Sequence, residues 1–279
     1  MKKCIQNVGG LGNQLFIWNA AHSLAELSSS KVVIFSPRNS NRKNELLVLK
    51  HFCNHEIYLQ ETEILFFILR YLDRARFRIP ILQSVCNYFG LKTIDGPTSK
   101  LEYSRKSYFY RGYFQNVDMV NQNPLGAVDE IRLATMHQLK ELSNRVKLPA
   151  QYEAFHIRRG DFLENSQTLG VLADKYYEKL RGSLPLVLST ERANELTNDM
   201  KAHYVSTSEV DSSWASFALL SGADRLIAAN STFSWWAGLI LKRRLPTGEV
   251  IQPARYFKSS DDTSYLRHEE FAQADAEYL

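Results

Sequence analysis

The second half of the chain alternates short apolar runs with stretches of helical spacing, and this alternation restricts the fold more than any other feature. Strand-like runs recur at residues 154–157, 184–188, 203–205, 226–229 and 249–251. Between them, residues 174–181, 192–201, 213–221 and 233–242 carry apolar side chains at helical intervals. Runs rich in Val, Ile and Leu suit strands covered on both faces, the condition of a parallel sheet with helices on either side. The beginning of the chain has the same grammar. A strand at 4–8, a turn at Gly9-Gly10-Leu11-Gly12, a helix over 14–28 and a buried-type strand at 31–36 make a βαβ unit.

The expectation is therefore an α/β protein of two Rossmann-like domains facing across a cleft, 1–150 and 151–279. The length of 279 residues suits two modest domains. Between the legible ends, residues 46–57 and 61–78 read as helices, 108–114 as a strand and 127–146 as a long amphipathic helix stopped by Pro149. In open parallel sheets ligands sit beyond the carboxyl ends of the strands, so the chemistry is expected in the loops that follow them.

Charge and composition exclude several classes. The net charge of +4, from 34 basic and 30 acidic residues, is too small to argue for nucleic acid. Residues 70–111 hold nine Lys/Arg against three Asp/Glu, interleaved with aromatics. That stripe is either a solvated face or a surface for an anionic partner or membrane. The three cysteines, Cys4, Cys53 and Cys86, are irregularly spaced, which suits a reducing compartment. The first residues lack the apolar run of a signal peptide, and the longest apolar run, 64–69, is too short to span a bilayer. A cytoplasmic protein with at most peripheral membrane contact is expected.

Two constellations carry chemistry. His156-Ile157-Arg158-Arg159-Gly160-Asp161 leaves the strand at 154–157. Guanidinium groups match phosphate oxygens in pairs, Gly160 permits a tight turn, and Asp161 can hold one arginine in place. The group reads as a pyrophosphate clamp. Asn230-Ser231-Thr232-Phe233-Ser234-Trp235-Trp236 follows the strand at 226–229. Ser231 or Thr232 can cap the next helix, whose amino end attracts anions. A third loop, Gly10 to Gln14, resembles a dinucleotide fingerprint only in part: Leu15 stands where a small residue belongs, and the next strand ends without an acidic residue, so NAD is rejected. Its amides and Asn13 can still meet a phosphate or a sugar. No Asp-x-Asp occurs, and His51, Cys53 and His55 lack a fourth ligand. No metal cofactor is expected.

Three blocks together, Gly9-Gly10-Leu11-Gly12-Asn13-Gln14-Leu15-Phe16, His156-Ile157-Arg158-Arg159-Gly160-Asp161-Phe162 and Ala229 to Trp236, resemble the family 11 galactoside α-1,2-fucosyltransferases of bacteria. Gly112-Tyr113-Phe114-Gln115 and Lys175-Tyr176-Tyr177 are weaker matches. The resemblance implies a GT-B-like fold with 1–150 on the acceptor side and 151–279 binding the nucleotide sugar, GDP-fucose as donor, a galactose-terminated oligosaccharide (with a lipid-linked form open) as acceptor, inversion at the anomeric carbon, and no metal. It implies that His156 helps read guanine, that Arg158 and Arg159 bind the diphosphate, that Asn13 lies near the donor phosphate with Gly10 and Gln14 beside it, and that Asn230, Ser231, Thr232 and Phe233 line the nucleotide. The family's Ser-Asp-Asp is here Ser189-Thr190-Glu191, which leaves Ser189 and Glu191 as donor contacts. Ser216 stands where the family tends to have an acidic residue, with Glu209 and Asp211 as alternative guanine readers. As catalytic groups, Arg158 and Arg159 would stabilise the departing diphosphate, and Asp161 is the candidate base, with Glu164 the next carboxylate. Another nucleotide sugar, or a non-catalytic nucleotide-sugar-binding relative, is the alternative.

Overall fold

The computed structural model describes residues 2–36, 44–53, 57–61, 84, 88, 90–93, 107–122, 126–159, 162–163, 167, 169–190, 212–258 and 264–279. They form two compact units, Met1–Glu130 and Ile131–Leu279. Each is built on a five-stranded sheet in which every described strand pair is parallel.

The first unit contains β1 (Lys3–Gln6), α1 (Leu11–Ser28), β2 (Val32–Ser36), a 3-10 helix (Glu45–His51), β3 (Ile57–Glu61), β4 (Leu91–Thr93), β5 (Phe109–Arg111) and α2 (Val117–Gln122). Its strand order is β3-β2-β1-β5-β4. All five residues of β2 are buried, as expected for Val, Val, Ile and Phe in a sheet covered on both sides. Helix α1 buries Leu11, Leu15, Phe16, Ile17, Trp18, Ala20, Ala21 and Leu24, a distribution that runs round the helix and marks it as a core element. It ends where Ser29 turns left-handed at φ 47°.

Helix α3 (Gly126–Ser143) carries the division between the units. Its Glu130 accepts from Trp18 Nε1 and lies 2.9 Å from His22 Nε2, both on α1. Leu139, further along, packs against Gly222 of the second unit, where an added Cβ would come within 2.8 Å of it. The sequence reading put the domain boundary near residue 150, at the end of this helix. The division falls at Glu130 because the two ends of α3 belong to different cores.

The second unit contains β6 (Glu153–Ile157), α4 (Asp174–Leu180), β7 (Leu186–Thr190), α5 (Ser213–Ser221), β8 (Arg225–Ile227), α6 (Thr232–Arg244), β9 (Glu249–Pro253), a 3-10 turn (Ser264–Leu266) and β10 (Ala272–Ala274), with strand order β10-β9-β8-β6-β7. On one face Phe155, Ile157, Leu186, Leu188, Ile227 and Ile251 pack with Leu172, Tyr176 and Tyr177. Each such side chain contributes about 1.5–3 kcal/mol by leaving water. Helix α6 buries Trp235, Trp236, Leu239 and Ile240. It comes close to the sheet at Gly238, where a Cβ would meet Val250 Cγ1 at 2.8 Å.

Both sheets change winding direction once. In the first, β1 lies between β2 and β5; in the second, β6 lies between β7 and β8. Such switch points open a crevice at the carboxyl ends of the two central strands, and the loops after β6 and β8 carry the two main motifs.

Local differences from the sequence reading have physical causes. Residues 46–57 read as one helix; among the described residues Glu45–His51 coils, as a 3-10 helix that buries Leu46 and Leu49 three apart. Ile57 instead opens β3, in register with Val32. The helices read at 61–78 and 192–201 and the strand at 203–205 lie outside the described residues, except Glu61, which ends β3. No helix among the described residues is long and apolar enough to cross a membrane.

Candidate active site

At the carboxyl edge of the second sheet, β6 ends on His156 and Ile157, opposite Ser189 and Thr190 of β7. His156 is 3% exposed. Its Nδ1 shares a hydrogen bond with Ser234 Oγ, its ring lies 5.2 Å from that of Phe233, and its backbone carbonyl accepts from the Tyr177 hydroxyl at 2.9 Å. The carboxyl end of β6 and the first turn of α6 therefore touch directly. Phe233 also packs edge-on against Phe217 at 5.5 Å, which stands against Trp214. The result is an aromatic wall with half-exposed Phe233 as its accessible member. Ser189 is buried beside His156.

The two arginines differ in environment. Arg158 is half-exposed, with its guanidinium over the Phe162 ring at 5.2 Å. Arg159 is buried, 5% exposed, and its Nη2 pairs with Asp174 at the start of α4. Successive residues leaving a strand point to opposite sides: Arg159 turns inward to fix the loop, and Arg158 turns toward solvent. Phe162 and Leu163 continue as a helical turn, with Leu163 N bonded to Arg159 O at 3.0 Å.

After β8 the motif divides its labour similarly. Asn230 is buried, and its Nδ2 faces the carbonyls of Leu169, Gly170 and Tyr256 at 3.0, 3.1 and 2.9 Å. The amide donors are thus turned into the protein, and Asn230 holds the loop. Ser231 caps α6, its hydroxyl accepting from Phe233 N at 3.3 Å. Thr232 is half-exposed on the first helical turn. The α6 amino end therefore lies beside the arginine loop, where backbone amides and the helix dipole favour negative charge. Trp235 is a packing residue: it is fully buried, with Nε1 bonded to Leu266 O.

The glycine-rich loop lies in the first unit, after β1. Gly9 has φ +81°, and a Cβ there would sit 2.4 Å from Asn13 Nδ2, so only glycine fits. Gly10 and Asn13 are half-exposed. Asn13 Oδ1 accepts from Gln115 Nε2 at 2.7 Å. Gln115 follows Phe114, a buried aromatic at φ 55°, a conformation costing about 1–3 kcal/mol for such a residue and often found at functional turns. Gln14 is buried and serves as a staple, with Nε2 on Gly9 O and Oε1 accepting from Asn7 Nδ2 and Glu45 N.

His156, Arg158, Arg159, Ser189, Asn230, Ser231, Thr232 and Phe233 thus share one edge of the second unit, while Gly10, Asn13 and Gln14 share one loop of the first. Asp161, Glu164, Glu191, Glu209, Asp211 and most of the basic stripe at 70–111 lie outside the described residues. Ser216 is half-buried in the first turn of α5. The sequence reading missed Asp174, Tyr177, Ser234 and Gln115. Tyr177, Ser234 and Gln115 sat in recognisable blocks without being singled out, and Asp174 gives no local sign of reaching an arginine fifteen residues away. Among the described residues, His22, Cys53 and Glu130 place ligand-type atoms within 4.8 Å of one another, but Glu130 Oε2 already faces Trp18 Nε1 and His22 Nε2.

Two units built on parallel sheets are consistent with the two-domain GT-B fold of glycosyltransferases. The E. coli ADP-heptose lipopolysaccharide heptosyltransferase II has the same fold, at TM-score 0.50 and 12% identity over 98% of this chain and 90% of that one. The fucosyltransferase NodZ from Bradyrhizobium aligns at TM-score 0.49 and 11% identity, covering 86% and 94%. The model of glycosyl transferase family 11 matches residues 84–263, and the chain belongs to that family. Two Escherichia coli proteins are each 25% identical to it: an O-antigen biosynthesis glycosyltransferase, WbnK, covering 94% of this chain and 96% of the relative, and an alpha-1,2-colitosyltransferase, covering 92% and 93%.

Proposed function

We propose that this family 11 transferase moves L-fucose from GDP-fucose to the 2-hydroxyl of a galactose in an oligosaccharide acceptor, with inversion and without a metal. The observation that carries the reading is the switch point of the second sheet, where half-exposed Arg158 and the capped amino end of α6 flank His156. The acceptor oxygen bonds to the anomeric carbon as the bond to the diphosphate breaks, and the hydroxyl proton passes to a base or to water. Negative charge grows on the leaving diphosphate. Arg158 and the α6 amides supply fixed positive potential there, and Arg159, held by Asp174, keeps the loop in place. Asp161 remains the candidate base. His156 and the Phe233 ring offer a polar edge and a face to the base of the nucleotide, and Asn13 and Gly10 offer donors to the donor sugar or phosphate. The enzyme would act in the cytoplasm on a soluble or lipid-linked glycan, with at most peripheral membrane contact and no nucleic-acid partner.

The colitosyltransferase relative favours a second reading, a GDP-activated deoxysugar related to fucose. Calorimetric titration with GDP, UDP and ADP in EDTA tests both. Selective GDP binding supports them, and transfer from GDP-fucose against GDP-colitose separates them. Binding of UDP or ADP instead overturns the donor assignment, and GDP binding that is lost in EDTA overturns the metal-independent reading.

A further inference from the structure

The two donor loops, after β6 and after β8, are fastened to one short segment, residues 169–177. At its start the Leu169 and Gly170 carbonyls face Asn230 Nδ2 at 3.0 and 3.1 Å. At its end Asp174 pairs with Arg159, the Tyr177 hydroxyl donates to His156 O at 2.9 Å, and the Tyr176 hydroxyl reaches Ala228 O at 3.4 Å. The segment thus ties the carboxyl end of β6 to the loop after β8.

Its middle is gripped by the last residues of the sequence. Leu172 and Tyr278 form an antiparallel bridge, Ala173 N donates to Glu277 O at 2.8 Å, and Leu279 N donates to Val171 O at 2.8 Å. The tail is in turn anchored to the far side of the sheet. Ala254 N bonds Ala274 O at 2.8 Å beside the β9–β10 pairing, the Tyr278 hydroxyl donates to Arg255 O at 2.6 Å, and Lys179 pairs with Glu277. Gly170 has φ +74°, and a Cβ there would lie 2.6 Å from the Tyr278 ring. The bare glycine is the seat of that ring.

We propose that residues 169–177, clamped by the tail 272–279, form a positioning bracket that sets the two diphosphate-binding loops in register with each other, with Asp174 and Tyr278 as its positioning residues. The proposal rests on the donor reading above. Asp174 acts through buried Arg159, whose fixed guanidinium holds the backbone that presents Arg158, and Tyr278 acts by keeping Gly170 and Leu172 in place. A displacement of about 1 Å in such a loop costs on the order of 10²-fold in rate, because fixed donors must already lie where charge develops.

The test uses the full chain with Asp174→Ala, Asp174→Glu, Tyr278→Ala and the double variant Asp174→Ala/Tyr278→Ala. GDP affinity is read by calorimetry, and donor and acceptor KM by steady-state transfer. Each alanine variant is expected to weaken GDP binding and raise donor KM by about ten-fold or more, with acceptor KM unchanged. Asp174→Glu recovers part of the loss. The double variant costs little more than either single one, because the effects of residues acting through one element do not add. Hydrogen exchange needs no ligand and gives a second reading: amides of 156–163 and 228–233 should exchange faster in both variants, with those of β9 unchanged. Wild-type protein that binds no nucleoside diphosphate counts against the donor reading, and the exchange pattern then decides the bracket. Wild-type binding with unchanged GDP affinity and loop exchange in the variants overturns the bracket. So does a uniform loss of active protein at constant KM.

Discussion

The two ends of the second sheet use charge in opposite ways. At the amino edge, Glu153, Arg225 and Glu249 open β6, β8 and β9 and lie side by side in register. Glu153 is fully buried, yet its carboxylate accepts from Gly182 N at 2.8 Å and from Arg225 Nη1 at 2.8 Å. Arg225 also bonds Leu180 O and Glu249. At the carboxyl edge, β6 ends on His156, which touches the first turn of α6, and Arg158 follows half-exposed over an aromatic ring. A charge closed upon itself by protein groups supports the fold, and one held at a strand's carboxyl end is what the proposed donor site calls for. The bare count of Lys and Arg in the sequence cannot separate these two uses.

The sharpest way to break the contrast is Arg225→Met. It leaves the Glu153 carboxylate buried without its cation, a loss of about 3–5 kcal/mol for a disrupted buried pair. Urea unfolding should show it as a lower midpoint, while the GDP affinity of the remaining folded protein stays unchanged. An unaltered midpoint would mean that Gly182 N alone satisfies the carboxylate.

Arg158→Ala should do the reverse. Turnover is expected to fall on the order of 10²–10³-fold, the usual loss for one preorganised charge-stabilising donor, with little change in the urea midpoint. Arg158→Lys restores charge but not the planar fork, so recovery should be incomplete. Near-normal turnover and GDP affinity in Arg158→Ala would remove the basis for the proposed donor site.

The sequence carried the second unit well because its strands are apolar runs and its helices are bounded by local signals. Residues 213–221 read as the helix that forms, and Ser212 caps it. The motif loops were legible because strand ends are where an open parallel sheet places chemistry. What escaped has no local signature. Strand β10 is Ala-Gln-Ala, without a β-branched or aromatic residue, and it forms because β9 offers an edge. Ile57–Glu61 follows apolar residues that mimic a helix, and only pairing with β2 reveals it as a strand. Arg158 and Arg159 are alike in sequence, and their partners, the Phe162 ring and Asp174, distinguish them. In the first unit, Gln115 reaches Asn13 across a hundred residues through a turn that strains Phe114.

The smallest effect belongs to a group at neither edge. His268 is 4% exposed, stacked on Phe271 with ring centres 4.6 Å apart, and beside Trp235 of α6. Its Nδ1 accepts from Glu270 N at 3.2 Å, so the neutral ring fits the site, and its Nε2 is buried without a hydrogen-bond partner among the described residues. Burial lowers its pKa below the ordinary 6.5; Glu270 and Glu269 oppose that shift, while Arg243 and Lys242 reinforce it. The folded protein therefore binds this proton less readily than the unfolded chain. The stabilisation is present above the ordinary histidine pKa and is lost as pH falls below it, with a slope of at most about 1.4 kcal/mol per pH unit for one proton. Unfolding midpoints measured between pH 8 and pH 5.5 should decline at the acid end, and His268→Leu should flatten that part of the decline without altering GDP affinity at pH 8. A variant that keeps the full acid slope would assign it to other groups. A variant that loses GDP binding at pH 8 would show that the packing around α6 and the donor edge are coupled, and that the separation between fold-supporting and ligand-facing charge is narrower than the two edges suggest.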